Sequence, residues 1–227
     1  MKDIGEAFSF PFKDPNWIVK FLIGAIFIAL SVVLIGIPAV TGYYIELVQR
    51  VRRKEQYPLP DWKDVGVKFL VGIKYIVAIA IYYLPIMIVI FPIVVLFALA
   101  MIQNPYWGES VESGGLVLIL VLVIVLYSLF IAVLTPIIAT QFAERESIGD
   151  AVRVTRIFSL FGRHWQDALL AALIGAGVHV LSCIGVIFFL VGMLVTSFYA
   201  SLVTYHLYGQ IAQDIAGSDL PPVPSTP

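Results

Sequence analysis

Three long stretches of this chain carry no charged residue: the 34 residues from Tyr75 to Gly108, the 31 from Ser113 to Ala143 and the 46 from Ala168 to Gln213. A chain of 227 residues, 60% hydrophobic and only 13% charged, cannot enclose such stretches in a water-soluble core, so lipid is the expected solvent. A helix rises 1.5 Å per residue, and about 20 apolar residues cross a hydrocarbon core of about 30 Å. The 46-residue stretch is long enough for two crossings. The stretches at 75–108 and 113–143 each suit one long crossing. The uncharged run Phe21–Ile45 suits one crossing or a tight hairpin. Lipid leaves backbone N–H and C=O groups unsatisfied unless a helix or a closed barrel pairs them. The run Leu116–Leu126 lacks the alternation of a barrel strand. The expected class is therefore all-α: a polytopic membrane helix bundle of about six helices, with five possible, in one domain over residues 1–213. A proline-rich tail over 214–227 is expected to be disordered.

The basic residues orient this bundle. Lys and Arg cluster at the N-terminus, between Arg50 and Lys68, and between Arg145 and Arg163, whereas the connection around Glu109 and Glu112 has none. The positive-inside rule then places loops 50–66 and 144–166 and the C-terminus in the cytoplasm and 103–113 outside. Pro85 and Pro92 fall within one long crossing, and the last stretch turns near Ser182–Gly185. A hairpin of Trp17–Val33 and Pro38–Lys54 around Gly36 gives six helices; a single span over 18–45 gives five. Cys183 is the only cysteine, so no intrachain disulfide forms. No cleavable signal is evident at the N-terminus.

Three segments begin alike, which favours the hairpin. Trp17 precedes Lys20-Phe-Leu-Ile-Gly24, Trp62 precedes Lys68-Phe-Leu-Val-Gly72, and Trp165 precedes Ala171-Ala-Leu-Ile-Gly175. Trp62/Asp64 and Trp165/Asp167 share a Trp-x-Asp pattern. Tryptophan belongs at a membrane interface, so a repeat puts all three at the cytoplasmic face. Two further segments read as amphipathic helices in the headgroup plane. One is 44–54, with the stripe Tyr44, Leu47, Val48 and Val51. The other is 147–160, with the stripe Ile148, Ala151, Val152, Thr155 and Phe158 and with Ser147 and Asp150 as a capping pair. Their Arg50, Arg53, Arg153 and Arg156 are candidate contacts for anionic lipid or a protein partner.

Ionisable groups inside the membrane are costly and mark candidate sites. Lys74 is shallow enough to snorkel. His179 lies deeper and is expected to hydrogen-bond to a neighbouring helix, and His206 lies near the cytoplasmic end of the last helix. No phosphate-binding loop, nucleophile elbow or His-Glu-x-x-His pattern occurs, and no catalytic, metal or cofactor residue is expected. Nothing in the charge pattern points to nucleic acid.

The residues Gly42-Tyr43, the Arg50–Lys54 cluster and Pro58-Leu-Pro60-Asp-Trp62-Lys-Asp64 resemble a known family. So do Phe12–Gly24 and Asp150–Arg156 running on to Trp165. The family is one of archaeal and bacterial multi-pass membrane proteins named only as domain of unknown function number four thousand and thirteen. The resemblance implies a multi-helix membrane fold, similar to the membrane domain associated with glycerophosphodiester phosphodiesterases, and brings no catalytic residues. The expected role is a non-enzymatic subunit or scaffold of a membrane assembly in the cell membrane of a prokaryote. The alternatives are a transporter or permease component energised by a separate subunit, and a membrane-embedded lipid-modifying enzyme.

Overall fold

A computed structural model of the chain describes residues 3–104, 106 and 111–218. The described residues are helical almost throughout, with no strand among them. Eight α-helices follow in order: α1 (Ile4–Ser9), α2 (Trp17–Leu30), α3 (Gly36–Arg52), α4 (Val65–Gln103), α5 (Val111–Arg145), α6 (Ile148–Ala151), α7 (Val154–Ser182) and α8 (Phe189–Ser218). Helices α4, α5 and α7 supply stretches long and apolar enough to cross a membrane. A fourth crossing results if the pair Ile4–Lys13 and Trp17–Val33, bent by 102°, counts as one. Residues 105 and 107–110 of the connection expected outside lie beyond the described residues, as does the tail from 219 on. Residues 214–218, the first part of the tail expected to be disordered, are instead helical, because α8 continues to Ser218.

The N-terminal region is a hairpin. Ser31–Val33 tighten into a 3₁₀ turn, Leu34 adopts a left-handed conformation (φ 65°), and α3 starts at Gly36, two residues before the expected Pro38. A Cβ at Gly36 would lie 1.9 Å from the Phe27 carbonyl oxygen, so only glycine closes the turn this tightly. From there α3 descends through the centre of the molecule. It crosses α4 with backbone in contact: a Cβ on Gly42 would meet the Lys68 carbonyl at 1.8 Å, and one on Gly72 the Pro38 carbonyl at 1.8 Å. These pairings, 42 with 68 and 38 with 72, make α3 and α4 antiparallel. Helices α2, α4 and α7 thus run one way, and α3, α5 and α8 the other.

This alternation gathers the described Lys and Arg side chains toward one end of the bundle, the charged end, with Lys74 nearly three turns into α4. The core lies on that side. Ile45, Val48, Tyr75, Leu134, Ile138 and Phe142 join α3, α4 and α5 to α7 and α8. A second cluster around Tyr43, Leu47, Leu59 and Phe198 joins the hairpin to α8. Away from it the helices run bare. Helix α4 is about 58 Å long and α5 about 52 Å at 1.5 Å per residue. Only 6% of the most apolar window of each is buried, against 33% for α7.

Both expected headgroup-plane helices are corrected. Residues 44–52 belong to α3, with Tyr44, Leu47, Val48 and Val51 buried. An apolar stripe fits a core helix as well as an interfacial one, and the close crossing at Gly42 commits it to the core. The segment 147–160 is two pieces. Helix α6 stops because the Tyr82 hydroxyl donates to the Ala151 carbonyl at 2.7 Å, the acceptor a continuous helix needs four residues on. Arg153 then takes a non-helical ψ of 84°. Of the expected stripe, Thr155 and Phe158 are exposed, while Ile157 and Leu160 are buried. Ser147 precedes α6 without a side-chain capping bond.

Candidate functional site: the charged end of the bundle

The stretch Pro58–Trp62 connects α3 to α4 and folds back over the N-terminal hairpin. Its backbone is fixed by side chains it did not supply. The Tyr43 hydroxyl donates to the Pro60 carbonyl at 2.8 Å, and the Lys20 ammonium to the Leu59 carbonyl at 2.9 Å. The Trp62 indole N–H donates back to the Lys20 carbonyl at 2.9 Å. Its ring is sandwiched between Tyr43 (centroids 4.3 Å apart) and Phe27 (4.7 Å), both nearly parallel to it. Pro58, Leu59 and Pro60 are buried. The motif Gly42-Tyr43 … Leu59-Pro60-x-Trp62 is therefore a clamp: Gly42 lets α4 in, and Tyr43, one residue on, holds the loop above it.

A charge lies inside this clamp. Lys20 is 8% exposed. It pairs with Asp14 at 2.7 Å and Asp61 at 2.9 Å, which together with the Leu59 carbonyl occupy its three donors. The hydrogen bond from Lys20 holds the Asp61 carboxyl below the usual carboxylate range. Lys68 is the matching residue of the second repeat and is also 8% exposed. It pairs with Glu46 at 2.5 Å and donates to the Lys63 carbonyl at 3.0 Å. Sequence reasoning did not single out these two lysines. The usable signal was their shared place four residues before Gly24 and Gly72, each glycine sitting where its helix touches another. In the third repeat the place is taken by the fully buried Ala171, beside a contact of Gly175 with Thr204.

The candidate arginines are largely engaged within the chain. Arg50 bonds Glu46 at 2.7 Å, and Arg53 bonds Glu55 at 2.9 Å. Arg156 and Arg52 share Glu144 from either side, at 3.3 and 3.5 Å. Gln49 reaches the Ala143 carbonyl and Glu146. These bonds tie the end of α3 to the end of α5 and the start of α7. Arg153 and Arg145 both approach Asp150.

The remaining candidates are scattered. Trp17 packs edge-on against Phe12 and Phe21. Asp64 is exposed, at the start of α4 with φ 52°. Trp165 does not precede its helix: it lies inside α7, half exposed, next to a break in helical geometry at His164. Asp167 lies two residues further along the same helix. Lys74 is exposed and makes no ion pair among the described residues. His179 bonds chiefly within its own helix, Nδ1–H donating to the Gly175 carbonyl one turn back at 2.8 Å, while Nε2 faces the Ser201 hydroxyl of the neighbouring α8 at 3.4 Å. His206 is buried, stacked on Phe10 at 4.3 Å. It borders an open cavity of about 430 Å³ with Glu6, Glu55, Gln210 and Gln213. The segment before α2 reaches this region too, through paired bonds between Asp3 and Gln210. Among the described residues, no three His, Cys, Asp or Glu side chains converge as a metal set would.

The family described as Protein of unknown function (DUF4013) matches residues 25–197 of the chain. No curated protein and no solved structure matches it.

Proposed function

We propose that this chain, which belongs to the family of proteins of unknown function DUF4013, is a multi-pass cell-membrane protein that acts by contact, as a non-enzymatic subunit or scaffold of a membrane assembly. One observation carries the reading. Beyond the core, α4 and α5 each present a strongly apolar 18-residue window, about 27 Å long at the 1.5 Å rise, of which only 6% is covered by the chain itself. The groups at the charged end, by contrast, are mostly engaged in ion pairs within the chain. A molecule that keeps its polar groups inward and its longest helices bare is suited to binding through those helices. In this reading the chain crosses six times, through α2, α3, α4, α5, α7 and α8, with the charged end in the cytoplasm.

The test is site-specific photocrosslinking in the native membrane from Ile88 and Leu122, both exposed on the bare lengths. One discrete protein adduct, lost when α4 is displaced, is expected. Adducts to lipid alone would overturn the scaffold reading.

One observation favours a second reading, a transporter component working with a separate energising subunit. A cavity of about 230 Å³ opens between α3, α4, α5 and α8, bordered by Thr41, Tyr75, Thr135 and Tyr205. Solute flux in liposomes, sensitive to Thr41→Val, would support it. Equal flux with and without the protein across a panel of solutes would dismiss it.

A further inference from the structure

Beside the break between α6 and α7, an apolar groove of about 320 Å³ runs between α4, α5 and the start of α7. Pro85, Phe130, Leu134, Val152, Val154 and Phe158 form its walls. Its base is sealed by hydrogen bonds: the Tyr82 hydroxyl donates to the Ala151 carbonyl, and the Tyr127 hydroxyl to the Tyr82 carbonyl at 2.5 Å. Phe130 and Phe158 lie nearly parallel at 6.3 Å across it. Three elements thus hold the groove open.

The charged residues beside it indicate what fills it. Arg153 lies between the two groove residues Val152 and Val154. Its guanidinium and that of Arg145 both approach the single carboxylate of Asp150, at 3.3 and 3.8 Å. Asp150 is nearly buried, at 11% side-chain exposure, while Arg153 and Arg145 are 61% and 60% exposed. Two guanidiniums sharing one carboxylate leave one net positive charge and most of their ten N–H donors unused. The leading N–H groups of α7 start at the same place without partners in their own helix. An apolar slot flanked by an unbalanced pair of arginines matches a molecule with a hydrocarbon chain and a phosphate at its end.

We infer that this groove is a binding site for an anionic phospholipid. One acyl chain lies between α4, α5 and α7, and the phosphate is bridged by Arg145 and Arg153. Asp150 sets the spacing of the two arginines. The inference rests on the reading of the chain as membrane-embedded.

The experiment uses the full chain in nanodiscs and counts retained lipid by native mass spectrometry as phosphatidylglycerol competes with phosphatidylcholine. The intact protein is expected to retain phosphatidylglycerol preferentially. The Arg145→Gln/Arg153→Gln variant is expected to lose about tenfold of that preference, the effect of removing charge-assisted bonds to one phosphate. Val154→Trp fills the slot from a half-exposed position and is expected to lower retention of both lipids. An unchanged lipid ratio in the double variant, or no preference in the intact protein, overturns the site. Extraction by alkaline carbonate from native membranes is a separate arm. Release there would overturn the membrane reading, whereas retention with no lipid preference would overturn the groove alone.

Discussion

Lys20 and Asp14 are both nearly out of solvent, so their pair behaves as a buried one. Replacing Lys20 by methionine leaves Asp14 buried and unpaired, and a loss of about 3–5 kcal/mol is expected, read as a large fall in thermal stability in detergent. Asp61→Asn touches the same lysine from a carboxylate 46% exposed, and screening there limits the loss to under about 1 kcal/mol. The two variants also differ in pH response. The Asp61 carboxyl is held low in the folded state, so its contribution is complete above the ordinary carboxylate pKa of about 4 and disappears as pH falls through the lowered value. Thermal melts between pH 7 and pH 3 should show that acid-side loss in the native chain and less of it in Asp61→Asn. Tyr43→Phe strands the Pro60 carbonyl and is expected to cost about 1–2 kcal/mol while keeping the ring stack on Trp62. These residues were half legible in the sequence. Tyr43, Pro60 and Trp62 stood out as a motif, but the partners that give the motif its purpose, Lys20 and Asp14, lie about forty residues away, and no local pattern encodes that distance.

At the scale of the helices, the α3–α4 crossing decides how the hairpin meets the rest of the bundle. Gly42→Ala or Gly72→Ala puts a methyl group into the opposite backbone. Backbone cannot step aside as a flexible side chain does, so losses of about 3 kcal/mol or more and poor expression are expected. Gly177→Ala meets nothing within 4 Å and is expected to be neutral or to gain up to about 1 kcal/mol from helix propensity. Comparative melting of the three variants checks this. Apolar runs and turn residues located the helices and the hairpin at Gly36. They did not separate a stripe facing lipid headgroups from one facing other helices, because both need the same 3.6-residue period. Residues 44–52 and 147–160 were misplaced for that reason, the second also because the Tyr82 hydroxyl takes a carbonyl from a helix nearly 70 residues downstream.

For the molecule as a whole, the single cysteine gives a direct reading of orientation. Cys183 is exposed at the α7–α8 turn, away from the charged end. A membrane-impermeant maleimide is expected to label it in intact cells, and labelling only in inverted vesicles would reverse the proposed orientation. The charge-free stretches made the helical class legible, and the basic clusters foretold one charged end. How bare α4 and α5 would remain was not legible, since an apolar residue reads the same whether protein or lipid covers it. The clamp has a consequence in time. Residues 59–62 fasten the α2–α3 hairpin, yet they are synthesised after it. As the chain emerges from the ribosome, the first hairpin forms with its lysine still lacking Asp61 and its tyrosine lacking Pro60. Nascent chains arrested before residue 59 should therefore hold the hairpin loosely, and those arrested once Trp62 has emerged should hold it fast. The N-terminal hairpin is completed by a latch that arrives one loop late.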